Sequence, residues 1–401
     1  MLGRERPGGP ARWTAVVAAA GLALALAACS SSSNSGSNPP ATAGGVSSGG
    51  SSSSAVAGSP AAAAAAATTF LKAYAGVPTG VGITDPVNTT PATGKTFVYV
   101  QCEAAQCAEA GTDYKQAVEA LGWHLKTLNF QSSNPATLTS ALTQALQYHP
   151  VAVAFVATPP YAVWSGQIAK YKAAGVALLP IGAVDGTPDP TTLIRIGMGA
   201  SFQKLSGQIL ANWFIAESGG KGKALFWGVP QLPAGLAIQN EFIADVKSGC
   251  PACSVKLLTQ SLPDVLAGKA TGAIVSAVRA AAGTGYVVLC DGAFVPGLNA
   301  ALKAASVSGI KIAAGTSGTT DQAAVKAGQE AAATPTPIAL AVWLEVDAAV
   351  RFSEHMTVTA VEEPLQLLTT QSMAATGVTP SDDYPYPTNY QQIFKQLWKI
   401  G

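Results

Sequence analysis

From Lys95 onward the chain alternates short apolar runs with helical stripes, and that alternation leaves few folds open. Phe97-Val98-Tyr99-Val100 is an uninterrupted apolar run of the kind that fills a strand buried on both faces. A helical stretch follows, with Tyr114, Ala117, Val118 and Leu121 on one face and Gly122 as its stop. Trp123 to Phe130 reads as a second strand. Asn134 and Pro135 then open a helix, Asn as cap and Pro in the first turn, with Leu138, Ala141, Leu142, Ala145 and Leu146 as its stripe. Val151 to Val156 is a third strand that ends at Thr158-Pro159-Pro160. Tyr161, Trp164, Ile168 and Tyr171 mark the next helix, ended by Gly175, and Val176 to Val184 is a fourth strand. Strands and helices at this spacing predict right-handed crossovers and a parallel sheet covered on both faces.

Asp185-Gly186-Thr187-Pro188-Asp189-Pro190 is dense in turn formers and reads as a break. The pattern then restarts. Strands are expected at Leu193 to Met198, Ala224 to Trp227, Val255 to Leu258, Tyr286 to Cys290 and Ile310 to Ala314. Helices are expected at Phe202 to Glu217, Leu236 to Val246, Val265 to Ala282, Val295 to Ala305, around Ala323 to Gly328, and at Leu340 to Phe352. The sequence itself does not repeat. The architecture does: an α/β chain of two tandem open parallel sheets, each Rossmann-like.

What precedes Lys95 is of another kind. Arg4, Arg6 and Arg12 lead into an apolar run that ends Leu26-Ala27-Ala28-Cys29. The run from Trp13 to Ala28, about 16 residues, falls short of the ~20 needed to cross a bilayer. Positive, apolar, small, then cysteine is the order of a secretory signal, and the Leu-Ala-Ala-Cys ending resembles the bacterial lipobox. That resemblance implies cleavage before Cys29 and lipid on its sulfur, hence a protein anchored on the outer face of the cell membrane. Ser30 to Ala66 is nearly all Ser, Ala, Gly and Pro without charge, a composition expected to stay disordered as a linker. Thr69 to Val81, with Phe70, Leu71 and Tyr74, suggests a short helical preamble.

Charge and cysteine usage narrow the function. Lys plus Arg is 23 against 22 for Asp plus Glu, a net charge of +1, and no basic patch stands out, which argues against a nucleic-acid partner. Six cysteines occur. Outside the cytoplasm close pairs tend to be oxidised, so Cys250 with Cys253 and Cys102 with Cys107 are expected disulfides, leaving Cys290 free. Cys250-Pro-Ala-Cys253 follows Phe242, Ile243 and Val246 at helical spacing, at a helix end, where a redox-active CxxC does not normally sit. His124, His149 and His355 are isolated, without metal-ligand spacing, and no protease, hydrolase, nucleotide or dinucleotide motif is present. No cofactor is expected.

In open α/β sheets ligands bind beyond the carboxyl ends of the strands. That rule selects Gln101 and Glu103, Gln131, then Thr158, Tyr161 and Trp164, then Asp185 in the first half. In the second half it selects Trp227, Gln231, Gln260, Asp291, Phe294 and Ser317. Flat aromatic faces with amides and carboxylates suit a neutral polar ligand such as a sugar. Each aromatic is equally compatible with core packing, and Tyr161 with Trp164 is compatible with one turn of a buried stripe. A glycosidase needs paired carboxylates, and Glu103 with Asp185, or Asp185 with Asp291, leave that reading open.

Several stretches, in order, resemble the type I periplasmic binding proteins of ABC importers, the ribose- and sugar-binding group in particular. Gly94-Lys95-Thr96-Phe97-Val98-Tyr99-Val100 looks like the opening strand, and Ala173-Ala174-Gly175-Val176-Ala177-Leu178-Leu179-Pro180 like the segment before the first crossover. Cys290-Asp291-Gly292-Ala293 stands where the family has Asn-Asp, and Gly315-Thr316-Ser317-Gly318 where it has Gly-Phe-Asp-Gly. The resemblance implies two lobes joined by a three-strand hinge, closing on a small ligand, and a membrane permease that recognises the closed, monomeric receptor. It carries over Asp291 as a ligand-binding residue. Gln101-Cys102-Glu103 and Thr158-Pro159-Pro160-Tyr161 depart from the sugar-binding pattern, as do Cys290 for Asn and Ser317 for Asp. The expected organisation is a signal over 1–28, a disordered tract over 29–66 and an extension over 67–93. The first lobe is 94–187 with 317–362 and the second 188–316 with 363–401, with crossovers near Gly186, Thr316 and Glu363. The rivals are a receptor feeding a membrane sensor and a secreted hydrolase. A repressor of the same fold would carry a DNA-binding headpiece where this chain has its leader.

Overall fold

The computed structural model describes residues 58–358 and 360–400. The expected signal, the lipid site Cys29 and most of the Ser/Ala/Gly tract lie outside these residues.

The first sheet has the order β2-β1-β3-β4, all parallel, from β1 (Thr96–Gln101), β2 (His124–Asn129), β3 (Ala152–Val156) and β4 (Ala177–Ile181). Strands β1, β3 and β4 are the apolar runs, buried almost throughout, although β4 ends the sheet. Edge strand β2 is mostly exposed and carries Lys126, a charge that blunts the open edge. Helices α2 (Ala105–Ala120), α3 (Pro135–Ala145), α4 (Tyr161–Trp164) and α5 (Ile168–Ala174) supply the crossovers.

The second sheet has the order β6-β5-β7-β8-β9, again parallel, from β5 (Lys223–Gly228), β6 (Ser254–Thr259), β7 (Tyr286–Leu289), β8 (Lys311–Ser317) and β9 (Ala332–Pro335). Between and around these strands come α6 (Ala200–Glu217), α7 (Pro233–Gly249), α8 (Leu262–Leu266), α9 (Ala270–Ala280), α10 (Leu298–Ala304) and α11 (Thr319–Lys326). Helices α6 and α7 cross closely at Gly207, where a Cβ would stand 2.7 Å from the Ile238 carbonyl. The chain ends with α12 (Ile338–Ser353), α13 (Thr370–Thr376) and α14 (Tyr390–Leu397).

Helix α12 is buried on every side from Ile338 to Arg351, so its charges need partners. Arg351 Nε donates to Asp347 Oδ2 at 2.6 Å, Trp398 Nε1 to Asp347 Oδ1 at 2.9 Å, and Arg351 Nη2 to the Asp85 carbonyl at 2.7 Å. The helix packs on α2 and α14, which places it with the first sheet.

The chain passes between the lobes at 182–199, 335–338 and 360–368. Arg195 in the first passage pairs with Glu363 in the third and donates to the Val361 carbonyl at 2.7 Å, while Met198 N donates to Glu363 Oε2 at 2.9 Å. The N-terminal extension spans both lobes too. A helix α1 (Pro60–Leu71) lies on α6, Tyr74 O accepts from Leu367 N, and Val87 N donates to Leu397 O.

Four expectations change. Residues 60–66 are helical rather than linker, because an alanine run is the best helix former and Ser59 caps it with Pro60 in the first turn. Residues 317–335 belong with the second sheet, since β9 pairs with β8, and the second passage falls at 335–338 rather than Thr316. Helix α14 packs on α12, so 390–397 sits with the first lobe. Leu193 to Met198 forms no strand of the second sheet; Gly197 bridges Ile181 beside β4. The two cysteine pairs, Cys102–Cys107 and Cys250–Cys253, are disulfide-bonded, and Cys290 is a buried free thiol pushed up to about 12 by burial.

Candidate functional site

The carboxyl ends of the two sheets face each other across a cavity of about 200 Å³. From the first sheet it takes Val156 at the end of β3 with Ala157 and Thr158 beyond it, and Ile181 at the end of β4 with Gly182. From the second it takes Asp291 and Phe294 after β7, and Thr316 in β8. Helix starts close the rest: Ala104 and Gln106 at α2, Gln203 at α6, Leu232 to Gly235 at α7, with Met198, Thr336 and Ile338 from the passages between lobes. An adjoining recess of about 260 Å³ shares Ala104, Gln106, Asp291 and Phe294 and continues to Asp321 and Asp382.

Two lining residues, Met198 and Thr316, have left-handed backbone at φ 45° and 47°, where side chains other than glycine are uncommon. Thr316 lies within an irregularity of the β8–β9 register. Such conformations cost about 1–3 kcal/mol each and concentrate at ligand sites.

The acidic residues set the electrostatics. Asp291 Oδ1 accepts from Ala293 N at 3.0 Å. Asp321 Oδ2 accepts from Gly318 N at 3.2 Å, and Asp382 Oδ1 from Thr319 N at 2.7 Å, so both cap α11. Gly292 lets Asp321 approach: a Cβ there would stand 2.4 Å from the Asp321 carboxyl. Burial, then the charge of Asp321, pushes Asp291 up to about 7; burial, then Asp382, pushes Asp321 up to about 6.

Of the residues chosen from the sequence, Thr158, Asp291 and Phe294 line this cavity. The others lie elsewhere. Trp164 and Trp227 are fully buried core side chains. Trp164 packs edge-on against Phe155 and Tyr161, and Trp227 Nε1 donates to Gln260 Oε1 at 2.6 Å. Ser317 is buried and donates to the Thr334 carbonyl at 3.0 Å. Tyr161 leans over Gly186 rather than into the cavity. Glu103 is exposed and accepts from Ser132 N, Gln231 is exposed and accepts from Leu262 N, and Asp185 is exposed. Gln101 tucks its amide against Gly111 of α2, and Gln131 is exposed in a turn. Neither Glu103 nor Asp185 lines the cavity, so the carboxylate pairs that would make a glycosidase are not assembled there.

Sequence reasoning passed over Gln106, Gln203, Met198 and Thr336. The first two stand at helix starts, a position the strand-end rule reaches only if first helical turns are included. Thr336 and Met198 lie in the passages, and the place of Thr336 depends on which sheet β9 joins.

No protein-family model matches the chain, and no curated protein matches its sequence. Solved structures do share its fold. An ABC sugar transporter subunit from Rhodobacter sphaeroides 2.4.1 superposes with a TM-score of 0.59 at 18% identity, covering 70% of this chain and 99% of that one. The Caulobacter myo-inositol binding protein, bound to myo-inositol, gives 0.60 at 16% identity, covering 73% and 97%. The arabinose-binding component of an ABC transporter from Shewanella sp. ANA-3 gives 0.60 at 14%, covering 76% and 98%. At these identities the likeness establishes architecture: the chain has the two-lobed fold of the type I periplasmic binding proteins.

Proposed function

We propose that this protein is an extracytoplasmic solute receptor that captures a small ligand between its lobes and delivers it to an ABC importer. The observation that carries the reading is the cavity at the facing carboxyl ends of both sheets, with walls from both lobes and from the passages that join them. A ligand there touches both lobes at once and so favours the closed arrangement by its differential contacts. The neighbours' structures contain sugars or inositol, which makes a small solute of that size the starting class. Capture without turnover is the better reading because Glu103 and Asp185 do not line the cleft. Lipid on Cys29 would hold the receptor at the membrane; no helix among the described residues is long and apolar enough to cross one. Handing the ligand to a membrane sensor instead of an importer uses the same receptor surface logic and remains the second reading.

Native mass spectrometry of protein purified from its own host tests the capture reading. A small molecule released on denaturation is the expected result, and Cys29→Ser should release the protein from the membrane fraction. A preparation with an empty cleft that binds no solute by calorimetry would retire the reading.

A further inference from the structure

The cleft is chemically lopsided. Its main part is walled by Val156, Ile181, Met198, Leu232, Phe294 and Ile338. Phe294 is the one aromatic face among its lining residues. Its uncharged polar side chains are Gln106, Thr158, Gln203, Thr316 and Thr336, and two of these are occupied. Thr158 Oγ1 shares a hydrogen bond with Ser132 Oγ at 3.0 Å, and Gln203 Nε2 donates to the Met198 carbonyl at 3.1 Å. Thr336 is buried and its Oγ1 has no partner. A hydroxyl buried without a partner costs about 1–3 kcal/mol, so a molecule hydroxylated on every carbon is poorly served by these walls.

The other end is acidic. Asp291, Asp321 and Asp382 line the recess, and among the described residues no Lys or Arg lines either part of the cleft. The positive pole of α11 is already met by Asp321 and Asp382. The helix starts of α2 and α7 carry no side-chain cap and contribute about half a charge each, less than the carboxylates opposite. Burial chiefly raises Asp291 and Asp321; the lesser repulsion of Asp321 on Asp291 and of Asp382 on Asp321 would be relieved by a cation beside them. Among the described residues no group of His, Cys, Asp and Glu is arranged to hold a metal ion, which favours an organic cation over a metal.

We propose that the solute is an amphipathic organic amine, its protonated nitrogen at Asp291 and its apolar body against Met198, Leu232 and Phe294. This deepens the solute-capture reading and rests on it. Thr336 then supplies the hydrogen bond to one polar group on that body.

Calorimetry on ligand-free full chain at about pH 8, where the aspartates are ionised, compares phenethylamine, phenethyl alcohol and myo-inositol. Phenethylamine should bind at least about tenfold more tightly than the alcohol, and myo-inositol more weakly still. Asp291→Asn, whose amide oxygen can still accept from Ala293 N, should abolish the preference for the amine. Asp382→Asn, which likewise keeps its cap, should reduce it, and serves if the first variant does not fold. Equal or tighter binding of the alcohol or the inositol would overturn the proposal. If none of the three binds, the molecule that co-purifies decides. A cation supports the amine, a neutral polyol retires it while leaving solute capture intact, and an empty cleft retires both.

Discussion

Two groups of acidic side chains sit in contrasting surroundings. At the back, Glu363 in the third passage receives Arg195, and Asp347 in the buried helix α12 receives Arg351 and the Trp398 indole. Glu345 in α12 receives the Tyr114 hydroxyl, and burial holds its carboxyl well above the usual range. In front, Asp291, Asp321 and Asp382 meet only backbone N–H groups and open into the cleft. A charge buried for architecture is paired or neutralised within the chain, because an unpaired one costs several kcal/mol. Asp291, Asp321 and Asp382 have no counter-charge among the described residues and stand where a ligand can reach them. The contrast separates hinge from site without reference to any relative.

The largest effects should come from breaking the hinge pair. Arg195→Met strands Glu363 in the interior and should lower unfolding free energy by about 3–5 kcal/mol in denaturant titration. Arg195→Met with Glu363→Leu should cost clearly less than Arg195→Met alone, since no orphan charge remains. If the single and double variants are equally damaged, pairing is not what the hinge charges provide. The aromatics offer a parallel test of comparable size: Trp227→Ala should cost about 3–5 kcal/mol as a core truncation, whereas Phe294→Ala at the cavity should cost little stability and weaken ligand binding. Reduction of the two disulfides, which close loops of only 5 and 3 residues' separation, should lower stability by no more than about 2 kcal/mol each.

A smaller effect concerns pH. Asp113 is pushed up to about 7, Glu330 to about 8, Asp291 to about 7 and Asp321 to about 6, each chiefly by burial. The folded state therefore holds protons that the unfolded chain has released above about pH 4. Ligand-free protein should gain stability as pH falls from about 8 to about 5, read as a rising Tm. A falling Tm over that window would mean that the front carboxylates are already compensated. Smallest of all, Asp291→Asn should change the stability of the ligand-free protein by less than about 0.5 kcal/mol, or raise it, in contrast to the hinge variants.

Much of the architecture was legible because the inner strands are continuous apolar runs and the helices between them carry clean stripes. Phe97 to Val100 and Val151 to Val156 leave little room for another reading. Strand β9, Ala-Ala-Thr-Pro, was not legible: it is short, lacks β-branched bulk and contains a proline, so only its pairing with β8 reveals it. The alanine run at 61–67 looked like linker by composition, although alanine is also the strongest helix former; Ser59 and Pro60 were the signals to weigh. At the site, Asp291 and Phe294 follow a strand end closely enough for the general rule to find them. Trp227 obeys the same rule and turns the other way, into the core and onto Gln260, because a strand end does not say which face its last side chain takes. Thr336 and Gln203 carried no local signal, since their place depends on where the chain changes lobe.

The most direct test of the account is the separation of the lobes. Spin labels at Ser140 on α3 and Ser276 on α9, both exposed, report the distance between them by pulsed electron resonance. Adding back the molecule released from denatured protein should shorten and narrow that distance in ligand-free wild type and leave Asp291→Asn unchanged. An identical distribution with and without that molecule would contradict capture between hinged lobes.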